Sequence, residues 1–408
     1  MQTAPQPSSG RLFLNRSRPP HIVTLILLSG LAALSMNVFL PSLPGMAAYF
    51  EADYAVLQLS VALYLLVNAI LQVLMGPVSD KMGRRPVIMW GIGLFLLATL
   101  GCILAPTAEI FLAFRMAQSV VAVTIVLSRA AVGDMYEQGR AASMLGYVTM
   151  GVAVVPMIGP AIGGALEETF GWQASFWMLF GLGLAALGLT WADFGETKQK
   201  SGLTMAAQFR EYPELFRSPR FWGYSLASGL ASGAFFAYLG GAPYVGTEVF
   251  GMTPGVLGIF FGAPAVGYFA GNFISGRYSS RIGVNRMVLW GSIINCLGVA
   301  LNLATLAVGL GGAWSFFGFF LLVGVGNGMA IPNATAGAIA VRPHLAGSAA
   351  GLSGALMPGL GAGLSAAAGA LLVPGSGAWP LLWLMLGTAS AGVAAIVVVV
   401  LRERQLGL

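Results

Sequence analysis

Long apolar runs dominate this sequence and constrain its fold more than any other feature. About twelve of them are long enough to cross a bilayer, which takes roughly 20 residues for each helix. They cover approximately residues 22–44, 56–77, 87–106, 110–131, 143–166, 173–193, 221–247, 254–275, 287–309, 313–336, 346–373 and 378–401. We therefore predict an all-α polytopic membrane protein with twelve transmembrane helices, numbered here as segments 1 to 12.

Charged residues predict how these segments are oriented. If the N-terminus is cytoplasmic, all of the 20 Lys and Arg residues except Arg115 fall on the cytoplasmic side. The loops of the opposite side hold acidic residues and neither Lys nor Arg: Glu51, Asp53, Glu109, Glu167, Glu168 and Glu248. This is the positive-inside distribution of membrane proteins. It predicts a multi-pass membrane protein with both termini in the cytoplasm.

Composition excludes several other classes of protein. Hydrophobic residues make up 57% of the chain and charged residues 8%, against roughly 25% charged residues in soluble domains. The net charge of +6 is spread over short loops, where it indicates topology and contact with lipid headgroups, so we predict no nucleic-acid partner. Cys102 and Cys296 lie within apolar segments of different halves, which favours packing over a disulfide. The sequence shows no buried His, no Ser/His/Asp set and no metal-ligand cluster, so we predict neither an enzyme nor a cofactor.

The chain divides into two related halves. The longest polar stretch follows segment 6, and we predict an N-terminal tail (1–20), a six-helix bundle (21–193), a cytoplasmic linker (194–220), a second six-helix bundle (221–401) and a C-terminal tail (402–408). Residues 76–85 read GPVSDKMGRR and residues 276–285 read GRYSSRIGVN, an offset of 276 − 76 = 200 residues. The second copy has Ser280 where the first has Asp80. Parallel duplication of six-helix bundles is typical of one class of transporter, which binds substrate between its halves.

The loop between segments 2 and 3 carries a motif, GPVSDKMGRRP (Gly76 to Pro86). We interpret it as a tight Gly–Pro turn that holds Asp80 at the membrane surface. A carboxylate there can interact with the positive N-terminal end of segment 11, which starts near Ala346 on the same side. The alternative is a solvated turn that carries only topology charges. The predicted conformational latch consists of Gly76, Asp80, Gly83, Arg84 and Arg85.

Over essentially its whole length, the chain resembles the major facilitator superfamily, whose cytoplasmic signature the motif above matches. Further stretches resemble the drug/proton antiporter branch and, within it, the Bcr/CflA-type bicyclomycin and chloramphenicol efflux proteins. They are LSMNVFLPSLP (34–44), RMAQ (115–118), RAAVGDMYE (129–137), GVAVVPMIGPAIGG (151–164) and GWQASFW (171–177). The resemblance implies a location in the bacterial inner membrane, drug export, a monomer and a latch that closes the cytoplasmic side. It also implies a role for Arg115 in proton coupling or substrate binding.

Two of these stretches contain residues that are unusual within a membrane helix: an arginine in segment 4, and several prolines and glycines in segment 5. Arg115 lies about five residues into segment 4, roughly 8 Å from its periplasmic end. A guanidinium at that depth costs a few kcal/mol unless it faces a cavity or a partner, although snorkelling to the headgroups remains an alternative. In segment 5, Pro156, Gly159, Pro160 and Gly163 form a thin, bendable helix, and segment 11 is similarly rich in glycine. Rocking of the halves and ordinary close packing explain these residues equally well.

Polar and aromatic residues within apolar segments are the candidates for the substrate and coupling site. They are Asn37, Tyr64, Asn68, Gln72, Arg115, Gln118, Phe235, Phe236, Tyr238, Tyr268 and Asn327. Tyr64, Asn68 and Gln72 recur every four residues and therefore share one helix face. Uncharged polar groups among aromatic rings suit a small amphiphilic, largely neutral substrate.

Asn37 departs from the related proteins, which usually have an acid at this position. Because Asn does not titrate, Asn37 cannot carry a proton. Either an acid at the cytoplasmic edge (Asp80, Asp134 or Asp193) couples transport to protons, or transport is uncoupled, or Asn37 replaces a natural Asp. A second departure is Gly133, where relatives tend to have Arg. We predict an exporter of amphiphilic drug-like compounds that works by alternating access as a proton antiporter. The alternatives are an uncoupled facilitator or importer of a small metabolite and, less in keeping with the duplication, a channel.

Overall fold

The computed structural model describes residues 14–136, 158–197, 213–342 and 346–407, together with Met144, Val148 and Val155. Within these residues all regular elements are helices, and ten of them are long and apolar enough to cross a membrane. This architecture confirms the predicted all-α polytopic class.

Twelve helices follow the order of the predicted segments. The first half contains α1 (Ile22–Tyr49), α2 (Tyr54–Met82), α3 (Arg84–Ile103), α4 (Ala108–Met135), α5 (158–170 in the described part) and α6 (Gln173–Asp193). The second half contains α7 (Pro219–Tyr244), α8 (Pro254–Ile282), α9 (Val284–Ala307), α10 (Ala313–Ala340), α11 (Ala346–Leu371) and α12 (Trp379–Leu406). Of the twelve, α5 and α7 are the two that are not among the ten helices long and apolar enough to cross a membrane. Half of segment 5 lies outside the described residues, and α7 is rich in Gly and Ser.

The halves repeat the same reversal of the chain. Between α2 and α3 the backbone turns at Gly83 with φ +95°, and between α8 and α9 it turns at Gly283 with φ +91°. Positive φ values of this kind are sterically open to Gly and costly for other residues. The two glycines are 283 − 83 = 200 residues apart, so the sequence repeat is also a structural repeat.

The predicted tight turn at Gly76–Pro77 is wrong. Helix α2 continues through both residues and ends at Met82, and the reversal comes only at Gly83. A proline inside a helix removes one backbone hydrogen bond, and transmembrane helices tolerate that loss because neighbouring groups satisfy the freed carbonyl.

Four of the described helices, α1, α4, α7 and α8, are interrupted within or near the membrane, and the break in α8 falls at Phe261 and Gly262. Helix α1 has a 3₁₀ turn at Leu40–Ser42, and α4 has a 3₁₀ stretch at Ser119–Ala122. Helix α7 ends in a π-helical turn at Val245–Val249, directly after Pro243. Such irregular turns are frequent at functional sites. The interruptions of α1 and α4 flank the side chains of the site described below.

Large apolar side chains cover the outside of the bundle. Trp90, Phe170, Phe273 and Trp314 each expose more than two thirds of their surface. Exposed aromatic residues are stable in contact with lipid and with the membrane interface. We name the two ends of the bundle by the chain: the terminal end carries residues 14–21, Gly83, Asp193, Gly283 and Glu403, and the loop end carries the turns before α2, α4, α6, α8, α10 and α12.

Candidate functional site

Arg115 is fully buried inside the first half. Its Nη2 donates to the carbonyl oxygen of Ser35 at 2.9 Å and its Nη1 donates to Ser35 Oγ at 3.3 Å. Nη1 also donates to the side-chain oxygen of Gln118. The guanidinium lies 4.3 Å from the ring centroid of Phe39 and 4.2 Å from that of Tyr64. The side chain is therefore held between α1, α2 and α4, and it does not snorkel to the membrane surface.

Neutral groups compensate the charge of Arg115. Among the described residues, no carboxylate forms an ion pair with Arg115. The dipoles of the Ser35 and Gln118 groups and the negative faces of the Phe39 and Tyr64 rings stabilise its guanidinium instead. Gln118 is positioned by a further bond, from its Nε2 to Thr99 Oγ1 at 2.8 Å. The 3₁₀ stretch of α4 begins directly after Gln118. We call Ser35, Phe39, Tyr64, Arg115 and Gln118 the arginine cluster.

Asn37 is buried but does not belong to the arginine cluster. Its Nδ2 donates to the Ala33 carbonyl oxygen at 2.8 Å, and its Oδ1 is buried without a partner in the described structure. Successive helical residues are about 100° apart, so Ser35 and Phe39 share a face that Asn37 does not. Asn37 instead packs against Gly159 of α5.

The predicted polar row on α2 divides between two environments. The Tyr64 ring covers Arg115, whereas Gln72 donates to Asn68 Oδ1 at 2.9 Å and packs against Gly354 of α11. Sequence reasoning missed a fourth member, Gln58, whose Nε2 donates to Ser365 Oγ of α11 at 2.6 Å. Gln58 lies six residues before Tyr64 and therefore falls outside the four-residue repeat of Tyr64, Asn68 and Gln72. The repeat for this reason did not identify it.

A cavity of about 230 Å³ lies in the second half. Four of the predicted site residues line it: Phe235, Phe236, Tyr268 and Asn327. The remaining lining residues are Ser232, Pro264, Ala265, Gly324, Ile331 and Met357. The surface is almost entirely apolar and aromatic, which suits an amphiphilic organic molecule. Sequence reasoning missed Asn295, which donates to Asn327 Oδ1 at 2.7 Å and orients it.

Tyr238 lies in the packed core and not in this cavity. Its ring is 4.5 Å from Phe320 and 4.9 Å from Phe261, and the side chain is fully buried. The structure thus separates the predicted site into three parts: the arginine cluster, the contact between α2 and α11, and the cavity of the second half.

The described part of the predicted latch makes contacts within the first half. Arg84 Nε lies 3.1 Å from Asp134 Oδ2 of α4. Glu196 accepts the backbone N–H groups of Arg84, at 2.8 Å, and Arg85, at 3.2 Å. A carboxylate in this position compensates the positive end of α3. The side-chain environments of Gly76 and Asp80, and those of residues 346–348 at the start of α11, lie outside the described residues.

Two of the predicted edge acids are tied to structural partners. Asp134 pairs with Arg84. Asp193 accepts three hydrogen bonds, from the N–H groups of Leu14 at 2.8 Å and His21 at 2.9 Å and from Thr24 Oγ1 at 2.5 Å. Both carboxylates therefore hold the terminal end of the first half together.

Glycines of α5 bring this helix very close to two neighbours. A Cβ on Gly163 would overlap the carbonyl oxygen of Val38 in α1, within the same half. A Cβ on Gly164 would overlap the carbonyl oxygen of Pro254 at the start of α8, in the other half. Pro160 lies close to Gly258 of α8 in the same interface. Of the predicted hinge, Pro156 is outside the described residues.

The halves are joined at the loop end. Tyr54 Oη donates to the Gly240 carbonyl oxygen at 2.7 Å, and Glu168 Oε1 accepts the N–H of Gly255 at 3.0 Å. The Thr253 hydroxyl and this N–H hold the pKa of the Glu168 carboxyl below its usual range. Among the described residues of the terminal end, the ion pair Arg84–Asp134 lies within the first half and Arg220–Glu403 joins α7 to α12 of the second half. The pair Arg342–Glu214 joins the second half to the linker.

Glu167, beside Glu168, lies in a different environment. It is half-buried against Ser42 and Gly45 of α1, and its Oε2 has no partner in the described structure. Burial raises the pKa of this carboxyl, and the nearby Ser42 hydroxyl partly opposes that effect.

Comparisons with known proteins agree with this architecture. The profile of the Major Facilitator Superfamily matches residues 25–358. Multidrug resistance protein D of Escherichia coli (strain K12) is 29% identical over 376 residues, which cover 90% of this chain and 92% of the relative. The chloramphenicol resistance protein of Pseudomonas aeruginosa is 30% identical over 387 residues, or 91% and 90% of the two chains.

A solved structure shares the fold. The crystal structure of a bacterial homolog of the human lysosomal transporter Spinster, in an inward-facing and occupied conformation, superposes with a TM-score of 0.71. The match covers 94% of this chain and 96% of that one at 17% sequence identity.

Proposed function

Because the chain belongs to the major facilitator superfamily, we propose that it exports amphiphilic, drug-like compounds from the bacterial cytoplasm by alternating access. The observation that carries this proposal is the aromatic cavity of about 230 Å³ formed by α7, α8, α10 and α11. The names of two relatives, multidrug resistance protein D and chloramphenicol resistance protein, support drugs as the class of substrate.

The contacts between the halves support alternating access. The described contacts close the loop end, which we expect from the distribution of Lys and Arg to be periplasmic. An exporter needs this arrangement to load its substrate from the cytoplasm, and it then needs these contacts to break. The predicted monomer is consistent with a cavity that one chain builds alone.

We further propose that protons drive export and that Glu167 exchanges them. Asn37 does not titrate, Asp134 and Asp193 are held by structural partners, and the side-chain environment of Asp80 lies outside the described residues. Glu167 is half-buried, has an unpartnered oxygen and lies beside the contact that joins the halves. A raised pKa brings a carboxyl closer to the pH at which it can bind and release protons.

Proteoliposomes with an internal pH dye test the proposal, with chloramphenicol as the probe. We expect chloramphenicol to move against a proton flux in the unmodified chain and this flux to disappear in Glu167→Gln. Glu51→Gln, an exposed acid of the same end, is the matched control and should behave as the unmodified chain. If only an Asn37→Asp variant moves protons with chloramphenicol, the chain is an uncoupled transporter and position 37 is the coupling site.

A further inference from the structure

Asn327 lies in the middle of α10 and lines the aromatic cavity of the second half. Only 3% of its surface is exposed. Its Oδ1 accepts a hydrogen bond from Asn295 Nδ2 of α9 at 2.7 Å, whereas its Nδ2 makes no hydrogen bond with any described residue. This Nδ2 is not sealed off in the packed core, as Asn295 Oδ1 is. The cavity therefore has an unused amide N–H₂ group on its wall.

Asn295 fixes which end of the Asn327 amide faces the cavity. Its Nδ2 also donates to the carbonyl oxygen of Ala231 in α7 at 3.4 Å. Reversing the Asn295 amide would place its oxygen against this second acceptor, so the nitrogen stays on that side. Asn327 must then turn its Oδ1 toward α9. Its N–H₂ group is thereby directed away from α9 and is available to a ligand.

Glycines on both sides of Asn327 hold α10 in place. A Cβ on Gly328 would overlap the carbonyl oxygen of Tyr268 in α8. A Cβ on Gly326 would overlap the carbonyl oxygen of Gly291 in α9. Backbone contacts this close leave α10 little freedom to rotate. The donor is therefore preorganised, which lowers the entropic cost of binding to it.

The other polar groups of the cavity differ from the Asn327 amide. The Ser232 hydroxyl donates within α7, to the carbonyl oxygens of Ser228 and Gly229 at 3.0 Å each, so its hydrogen is already in use. The Tyr268 hydroxyl can either donate or accept. The lining residues that the structure describes include no carboxylate. Asn327 Nδ2 is thus the lining group that can only donate and has no acceptor of its own.

We propose that Asn327 selects neutral aromatic substrates that carry an acceptor oxygen, such as a ketone, amide or nitro group. Its N–H₂ group donates to this oxygen while the aromatic ring packs beside Phe235 and Phe236. The inference rests on the proposed export function and names the class of substrate. A compound of the same shape without the oxygen leaves these donors unpaired when it fills the cavity, and that loss is the source of discrimination.

Equilibrium dialysis of the purified full chain in neutral detergent tests the proposal with two matched probes, 2-acetylnaphthalene and 2-isopropenylnaphthalene. They have nearly the same shape and differ in a carbonyl oxygen that replaces a methylene group. Micelles without protein correct for partitioning. The measured quantity is the ratio of the two affinities, compared between the unmodified chain and its variants, because this comparison cancels the difference in hydrophobicity of the probes.

Asn327→Leu should reduce the advantage of the ketone about fivefold, which corresponds to about 1 kcal/mol. Asn295→Leu should reduce it by a smaller factor, because the Asn327 amide remains but can rotate. Asn333→Leu is the matched control. Asn333 is a buried residue of the same helix that donates to Ser275 Oγ and the Met329 carbonyl oxygen and does not line the cavity. Its replacement should leave the ratio unchanged.

Infrared spectra of the bound ketone, with carbon-13 in its carbonyl group, test the hydrogen bond directly in the unmodified chain. After subtraction of the spectrum in micelles, we expect the carbonyl band at a lower frequency than in a hydrocarbon solvent. It should move back toward the hydrocarbon value in Asn327→Leu.

A carbonyl band at the hydrocarbon frequency in the unmodified chain would overturn the proposal whether or not any variant folds. A ratio of affinities that Asn327→Leu leaves unchanged would also overturn it, and an unchanged ratio in Asn295→Leu would overturn the positioning role of Asn295. Chloramphenicol export, measured on the same preparation in proteoliposomes, separates these failures from that of the proposed function. If chloramphenicol is exported and the ketone gains nothing from Asn327, the export function stands and the selection is wrong; if neither probe binds and chloramphenicol is not exported, both are wrong.

Discussion

Arg115 shows how a single charge is accommodated in an apolar protein. Moving an unpaired charge out of water costs several kcal/mol, and here the compensation comes from Ser35, Gln118 and the rings of Phe39 and Tyr64. Since Arg stays protonated in proteins, the charge is permanent. The stability of the first half therefore depends on each neutral partner of this guanidinium.

Replacing Gln118 by Leu should destabilise the protein by about 1–3 kcal/mol, the usual cost of leaving a buried polar group without its partner. Thermal unfolding of the purified protein in detergent measures the effect. Gln118→Glu is the matched control, because it keeps the acceptor and adds a compensating charge, and it should unfold no earlier than the unmodified chain. A Leu variant as stable as the parent would show that Gln118 does not support Arg115.

At the scale of elements, α5 packs against both halves of the molecule through adjacent glycines. Gly163 and Gly164 are adjacent in sequence and about 100° apart on the helix. Gly163 contacts α1 in its own half, and Gly164 contacts the start of α8 in the other half. Gly163 therefore allows close packing within the first half, and Gly164 allows close packing between the halves at the loop end.

Gly164→Ala should push the halves apart at the loop end, whereas Gly163→Ala should lower the unfolding temperature without changing that distance. The added methyl group overlaps backbone in both cases, and backbone does not yield as a flexible side chain does. Spin labels on Glu51→Cys and Leu310→Cys, exposed at the loop end of the two halves, report the distance after Cys102 and Cys296 are replaced by Ser. Equal distance changes in the two variants would contradict the assignment of the two contacts.

At the scale of the whole molecule, two of the polar contacts that join the halves among the described residues lie at the loop end: Tyr54 with Gly240, and Glu168 with Gly255. Glu168 supplies one of them, and its carboxyl has a lowered pKa because Thr253 and the Gly255 N–H donate to the ionised form. A group whose pKa is lowered in one arrangement stabilises that arrangement while it is ionised. This contribution is complete above the ordinary pKa of 4.5 and is lost as the pH falls through the lowered value.

Acidification below pH 4.5 should therefore lengthen the distance between the same pair of spin labels. Glu168→Gln should be insensitive to pH in this window and already more open at neutral pH. Glu167→Gln is the matched control, because burial raises the pKa of Glu167 and its titration falls in a higher window. An unchanged pH response in Glu168→Gln would exclude Glu168 as the titrating contact.

The sequence alone determined the class of fold, because each of its signals is local or additive. Apolar runs of sufficient length predict membrane helices, and the 200-residue repeat predicts two equivalent reversals, which the structure has at Gly83 and Gly283. The prediction of a turn at Gly76–Pro77 was wrong. A transmembrane helix tolerates a proline that would break an isolated helix, because neighbouring groups bind the backbone carbonyl that the proline leaves free. Local signals of this kind depend on neighbours within one or two helical turns.

Only the tertiary structure decided which polar residues share a site. Asn37 lies two residues from Ser35, yet it packs on α5 while Ser35 binds Arg115. Gln58, which no spacing in the sequence singles out, donates to Ser365 of the other half. These contacts join residues between 80 and 307 positions apart. They depend on how whole helices are rotated and how closely they approach, and no periodicity within a single segment contains that information.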